Sequence, residues 1–218
     1  MLTQAEENYL KEIYALEELA QKEVSTNAIA EKMQTKASSV TDMLQKLSHK
    51  GLVAYKKYNG SRLSEKGREK AVLIIRKHRL WETFLVEKLD FPWDEVHEIA
   101  EQLEHIKSPK LTDRLDAFLG YPELDPHGDP IPNSDGEIVK VKNSCLADLG
   151  IDDWGILVGV KNSSDDFLKY LNKKNIAIGD KIKVTEIEPF DNSIKIIIKA
   201  MEMVISEDIA KNLYLRTK

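Results

Sequence analysis

Residues 38–63 read SSVTDMLQKLSHKGLVAYKKYNGSRL. Val40, Met43, Leu44 and Leu47 recur at helical period, and Gly51 supplies a C-terminal stop. From Leu52 to Tyr58 the pattern becomes β-like, with a turn at Asn59-Gly60 and a return through Arg62 and Leu63. Upstream, Tyr9, Leu10, Ile13, Leu16 and Leu19 predict a helix from Leu2 to Leu19. Ser25 or Thr26 caps a second helix running through Ile29 and Ala30 to about Met33, and Gln34-Thr35-Lys36 forms a short turn before the third. Helix, helix, short turn, helix, hairpin is the order of a winged helix-turn-helix, which lays its third helix in the DNA major groove and its hairpin against the backbone. Ser38, Ser39 and Thr41 are small enough for close approach, and Lys36, Lys46, Lys56, Lys57 and Arg62 can reach phosphates. The competing reading is a protein-contact module whose lysines only solubilise it.

Charge distribution favours the first reading. The 218 residues carry a net charge of −5, yet residues 32–80 hold 13 basic against 3 acidic side chains, and residues 81–139 hold 4 against 15. A basic footprint suited to phosphates is followed by an acidic stretch suited to cations.

Downstream, a long helix from Ser64 to about Leu89 is followed by a helix starting at Pro92-Trp93-Asp94 and another from Ser108-Pro109 to Leu119-Gly120. In the middle helix His97, Glu101, Glu104 and His105 stand at i, i+4, i+7 and i+8, on one side at about 100° per residue. His78 and Glu82 repeat the i, i+4 spacing one helix earlier. Two imidazoles and two carboxylates in a common volume are a metal-ligand face. The alternative is a solvated charged face, but Val96, Ile99, Ala100, Leu103 and Ile106 already supply a separate packing stripe. The three helices carry more apolar residues than one small bundle needs, which predicts a dimer interface and suits a palindromic DNA site.

Residues 121–136, YPELDPHGDPIPNSDG, form a proline-rich linker. Short strands are then expected at Glu137–Val141, Gly155–Val160, Lys181–Ile187 and Ser193–Met203, with a helix near Asp165–Asn172, a pattern that predicts a small barrel. The expected fold is mainly α with a small β domain: residues 1–64 winged helix-turn-helix, 65–120 helical, 121–136 linker and 137–218 barrel. The single cysteine, Cys145, excludes an intramolecular disulfide and a cysteine-rich zinc site. No apolar run of about 18 residues is present, and the start MLTQAEENYLKEIY has no signal-peptide character, so a cytoplasmic location without membrane partners is expected.

In their order and spacing, EENYLKEIYALEE (6–18), SSVTDMLQKLSHKGLV (38–53), RKHRL (76–80), VHEIAEQLEH (96–105) and DPHGDPIP (125–132) resemble the diphtheria toxin repressor family of metal-dependent transcriptional regulators. The resemblance is to the long form, with a winged helix, a helical metal-binding and dimerisation domain and a C-terminal SH3-like (FeoA-like) domain. It implies a primary metal site from Asn8, Glu101, Glu104 and His105, and an ancillary site from His78, Glu82 and His97. Asp125 and His127 match a Cys-Pro-His-Gly ligand motif of some long manganese regulators, with Asp125 replacing the cysteine, and Asp165 or Asp166 is implied as the SH3-like domain's contribution. For these four the competing reading is ordinary turn and capping chemistry. Glu101 stands where the iron branch carries cysteine. Oxygen in place of sulfur favours Mn²⁺ first and Fe²⁺ second. The implied function is non-enzymatic: a homodimeric, metal-dependent repressor that binds a palindromic operator in double-stranded DNA and controls metal-uptake genes. The alternatives are a metallohydrolase with Glu104 as general base, and a winged-helix regulator of an organic ligand.

Overall fold

The computed structural model describes residues 2–20, 22–56, 60–138 and 143–217. These divide into two compact units, residues 1–78, 102–109 and 132–137 forming one, and 79–101, 110–131 and 138–218 the other.

In the first unit, α1 (Gln4–Ala20) begins at a reciprocal cap. The Glu6 carboxylate accepts from the Thr3 backbone N–H at 2.9 Å, and Thr3 Oγ1 accepts from the Glu6 N–H at 3.3 Å. Ser25 caps α2 (Thr26–Lys32), its Oγ accepting from Ala28 N at 3.1 Å. Then come α3 (Ala37–His49), β1 (Val53–Lys56) and β2 (Gly60–Leu63), the two strands antiparallel. Gly51, at φ +69°, makes the left-handed turn out of α3. Leu10 and Ile13 of α1, Ile29 of α2, Val40, Leu44 and Leu47 of α3, and Val53 and Leu63 of the hairpin close one core. The expected winged helix is present. The hairpin turn at Asn59, and with it Lys57, lies outside the described residues.

Helix α4 (Glu65–Leu89) runs on from the hairpin, its residues up to His78 counted with the first unit and the rest with the second. The ligand helix is shorter than its periodicity predicts. It starts at His97 and ends at Leu103 as α5 (His97–Leu103), leaving Glu104 and His105 in the succeeding turn. Residues 92–95 form a turn instead, with the Trp93 indole donating to Asn172 Oδ1 at 2.8 Å and Asn172 Nδ2 donating to Asp94 at 3.1 Å. Tertiary bonds outweigh helix continuation at both ends.

In the second unit, Leu80, Trp81 and Phe84 of α4 pack with Leu115 of α6 (Pro109–Phe118) and with Leu119 and Ile131, while Leu85 packs with Val96 and Ala100. The linker is a folded loop: Asp125 N donates to Asp129 O, Ile131 N donates to Glu123 O, and Ile131 is buried. The β domain is a six-stranded antiparallel sheet of β3 (Ser144–Cys145), β4 (Trp154–Val160), β5 (Lys181–Ile187), β6 (Ile194–Ile198), β7 (Met201–Ile205) and β8 (Leu213–Arg216), in the order β3-β8-β4-β5-β6-β7. Leu168 and Leu171 of α7 (Asp165–Lys173) and Ala210 of α8 (Glu207–Ala210) complete its core. The strand expected over Ser193–Met203 is a hairpin, because Lys199 and Ala200 both take positive φ, 48° and 63°, and reverse the chain. Of the strand expected at Glu137–Val141, residues 139–141 lie outside the described residues, and the remainder is not strand.

Candidate metal centres and DNA-facing surface

The first unit contains Asn8, Glu104 and His105, and the residues flanking Asn8 on α1, Glu7 and Lys11, reach His105 and Glu104 respectively. Glu104 is fully buried, with Lys11 Nζ 2.9 Å from Oε1 and 3.0 Å from Oε2, and His78 Nδ1 2.6 Å from Oε2. Lys77 donates to the Glu104 carbonyl, which accounts for α5 ending one residue earlier. Burial alone would raise the Glu104 carboxyl, but the His78 hydrogen bond and the Lys11 charge outweigh it and hold the group below its ordinary value. His105 Nδ1 lies 2.6 Å from Glu7 Oε2, which orients the ring, and Nε2 lies 3.8 Å from Glu104 Oε1. Asn8 Oδ1 is buried without a hydrogen-bond partner. A buried acceptor left in that state costs about 1–3 kcal/mol, a penalty that a cation at Asn8 would remove. The carbonyl, carboxylate and imidazole donors fit a divalent ion of the harder kind.

The second unit builds a separate cluster. Glu82 from α4 and Asp125 and His127 from the loop bring their ligand atoms within 4.8 Å of one another, and all three are buried. Asp125 Oδ1 accepts from the backbone N–H of His127 at 2.8 Å and of Asp129 at 3.0 Å, which coils the loop. His127 Nε2 is 2.8 Å from the Trp93 carbonyl, and the two rings stack at 6.0 Å. That bond leaves Nδ1, 3.5 Å from Glu82 Oε2, as the candidate ligand atom. The His127 carbonyl accepts from Val160 N at 2.8 Å, so β4 holds the loop. Burial, then the negative charges of Asp129 and Glu82, push the Asp125 carboxyl up. Burial pulls the His127 imidazole down, but the Glu82 hydrogen bond and charge prevail and raise it to about 9. Protons thus gather where a dication's charge would be accommodated.

Other contacts engage the remaining expected ligands. Glu101 belongs to the second unit, its Oε1 3.6 Å from His97 Nε2, and His97, half exposed, also lies 3.2 Å from Glu82 Oε1 through Nδ1. His78 holds Glu104. Asp165 and Asp166 are exposed at the start of α7, Asp165 being 3.8 Å from Lys169. Sequence reasoning missed Glu7, Lys77, Arg79 and Trp93. Arg79 Nε stands 3.6 Å from Asp125 Oδ2 and Nη2 3.6 Å from Asp129, contacts between residues far apart in the chain that no local pattern announces.

On the winged helix Lys36, Ser38 and Ser39 at the start of α3, and Lys56 and Arg62 on the hairpin, are exposed. Thr41 Oγ1 donates back to the Ala37 carbonyl at 2.9 Å. Lys46 is exposed but pairs with the buried Glu6 at 3.1 Å, and Lys50 pairs with the same carboxylate at 2.6 Å. Burial would raise Glu6, but Lys50, the Thr3 N–H and Lys46 prevail and lower it to about 2. Its stabilising contribution is therefore fully present above 4.5 and lost as pH falls through about 2. Glu6→Gln, which retains the helix cap, should be less stable than the parent at pH 7. Circular dichroism during acid titration should show that difference closing between pH 4.5 and pH 2.

Residues 1–61 match the family described as iron dependent repressor, N-terminal DNA binding domain; residues 64–133 match its metal binding and dimerisation domain, and residues 136–217 the FeoA domain. The iron-dependent repressor IdeR of Mycobacterium tuberculosis is 36% identical over 131 residues, 60% of this chain and 56% of that protein, so the match spans little more than half of that relative. An uncharacterized HTH-type transcriptional regulator of Methanocaldococcus jannaschii is 36% identical over 54% of this chain and 94% of its own length. A solved manganese-dependent transcriptional repressor in complex with manganese superposes with TM-score 0.85 at 33% identity, covering 98% of this chain and 100% of its own. The chain belongs to the iron-dependent, or diphtheria toxin, repressor family.

Proposed function

We propose that this protein is a metal-activated transcriptional repressor that senses Mn²⁺, with Fe²⁺ as the alternative ion, and binds a palindromic operator of metal-uptake genes as a cytoplasmic homodimer. The observation that carries the reading is the orphaned Asn8 Oδ1 on α1, in the same compact unit as α3. A bound divalent ion supplies a positive charge that carbonyl, carboxylate and imidazole donors can share. Asn8 then ties α1 to Glu104 and His105, which restricts the winged helix and lowers the conformational penalty of presenting α3 to DNA. Glu82, Asp125 and His127 would hold a second, ancillary ion, to which His97, Asp165 or Asp166 would contribute. Neither candidate set contains sulfur: Cys145 donates to the Ala210 carbonyl within the β domain. That composition supports the harder ion. Leu111 and Phe118 on α6 and the neighbouring Tyr121 are exposed apolar surface that a second copy would cover. Among the described residues no helix is long and apolar enough to cross a membrane.

The test is fluorescence anisotropy on labelled promoter DNA from metal-transporter genes, with Mn²⁺, Fe²⁺, Zn²⁺ or no metal. Binding should tighten at least tenfold with Mn²⁺ or Fe²⁺ over metal-free protein. Equal affinity under all four conditions would dismiss metal activation.

A further inference from the structure

Glu104 and Asn8 differ in how their acceptors are met. Every oxygen of Glu104 is engaged: Lys11 Nζ lies almost equidistant from the two carboxylate oxygens, at 2.9 and 3.0 Å, His78 takes one of them at 2.6 Å, and Lys77 takes the carbonyl. Asn8 Oδ1 is buried with no hydrogen-bond partner. Lys11 is 8% exposed and Glu104 0%, so water does little to screen the pair. An ammonium straddling both oxygens of a buried carboxylate stands where a chelated cation would stand. A dication that recruits Glu104 has to share it with that charge or displace it.

We propose that Lys11 is an internal competitor for metal at the Asn8–Glu104–His105 centre, raising the ion concentration at which the centre fills. The inference rests on the reading of these residues as a metal centre. Two effects act in the same direction. With the ion present, the ammonium repels it across a poorly screened gap. Without the ion, the ammonium neutralises Glu104, and breaking a buried pair by removing one partner is strongly unfavourable. Taking away the charge at position 11 therefore relieves the bound state and destabilises the metal-free state, and each change tightens binding.

The experiment is calorimetric titration of the full chain with Mn²⁺, in an Asp125→Asn background that weakens the second cluster. In that background one ion should bind, and Glu104→Gln should abolish or severely weaken it. If Glu104→Gln leaves binding unchanged, the centre is misassigned and the Lys11 proposal falls with it. If the centre holds, Lys11→Met, close in length and uncharged, should bind Mn²⁺ at least tenfold more tightly. Its metal-free melting temperature should drop and its Mn²⁺-induced rise should exceed the parent's, whereas Lys11→Arg should stay near the parent. Unchanged or weaker affinity in a folded Lys11→Met protein would overturn the proposal with the centre intact. Lys11→Gln provides a second neutral variant. Neutral variants that fold only when Mn²⁺ is added would support the competitor role, and neutral variants that fold under neither condition would show Lys11 to be a structural ion-pair partner instead.

Discussion

Gly128→Ala should be among the most damaging single substitutions in this chain. A Cβ at Gly128 would lie 2.1 Å from Gly159 Cα and 2.1 Å from the Val158 carbonyl oxygen, both backbone atoms of β4, and φ is +87°. Neither atom can move without shifting the strand. Positive φ alone costs an alanine about 1–2 kcal/mol, and the overlap adds a backbone displacement, so about 3 kcal/mol or more is expected. For a chain of this size that corresponds to a fall in melting temperature of roughly 10 °C, readable by calorimetry. Gly120→Ala separates the two causes, because Gly120 has φ +78° but nothing within 4 Å of its Cβ position. It should lose only the conformational part, about 1–2 kcal/mol. Equal losses in the two variants would mean that the loop does not clasp β4. Because His127 adjoins the clash, Gly128→Ala should also weaken the ion proposed for the Glu82–Asp125–His127 cluster.

That loop shows where sequence reasoning stops. Four prolines in residues 121–136 read as a linker that need not be limp, and the segment is ordered by Asp125 bonding its own backbone, Ile131 entering the core and Gly128 meeting Gly159. Only the first is local. The winged helix was legible because its signals are short-range: apolar residues at helical period, Ser25 at a cap, Gly51 at a stop. The β6–β7 hairpin was not, because Lys199-Ala200 makes a turn usually announced by Asn-Gly. The ligand residues were visible as residue types at a telling spacing, but the spacing overstated the helix. Leu103 ends α5, and Lys77, Lys11, His78 and Glu7 orient Glu104 and His105, the Lys11 pair bridging 93 positions of sequence. Lys46 carries a contact that charge patterning does not announce: besides counting toward the phosphate footprint, it pairs with Glu6 on a different helix.

Glu82→Gln should remove ion binding from the second cluster, weakening Mn²⁺ there by about 100-fold or more, since a ligand is lost and even outer-shell changes cost about 10–100-fold. Glu82 is 2% exposed and meets both His127, at 3.5 Å, and His97, at 3.2 Å. A neutral amide keeps the volume while deleting the charge that holds the His127 imidazolium. The wild-type cluster should accordingly bind metal with a proton signature. His127, at about 9, is protonated through the neutral range, and the raised Asp125 retains part of its proton there, so an ion that takes both must expel them. Mn²⁺ affinity should rise with pH up to about 9, and titrations at one pH in buffers of different ionisation enthalpy should give heats that differ in proportion to the protons released. In Glu82→Gln the His127 group loses its main upward influence and returns toward or below 6.5, so whatever weak binding remains should release fewer protons. Heats independent of buffer in the wild-type protein, with two ions bound, would place the second ion away from His127.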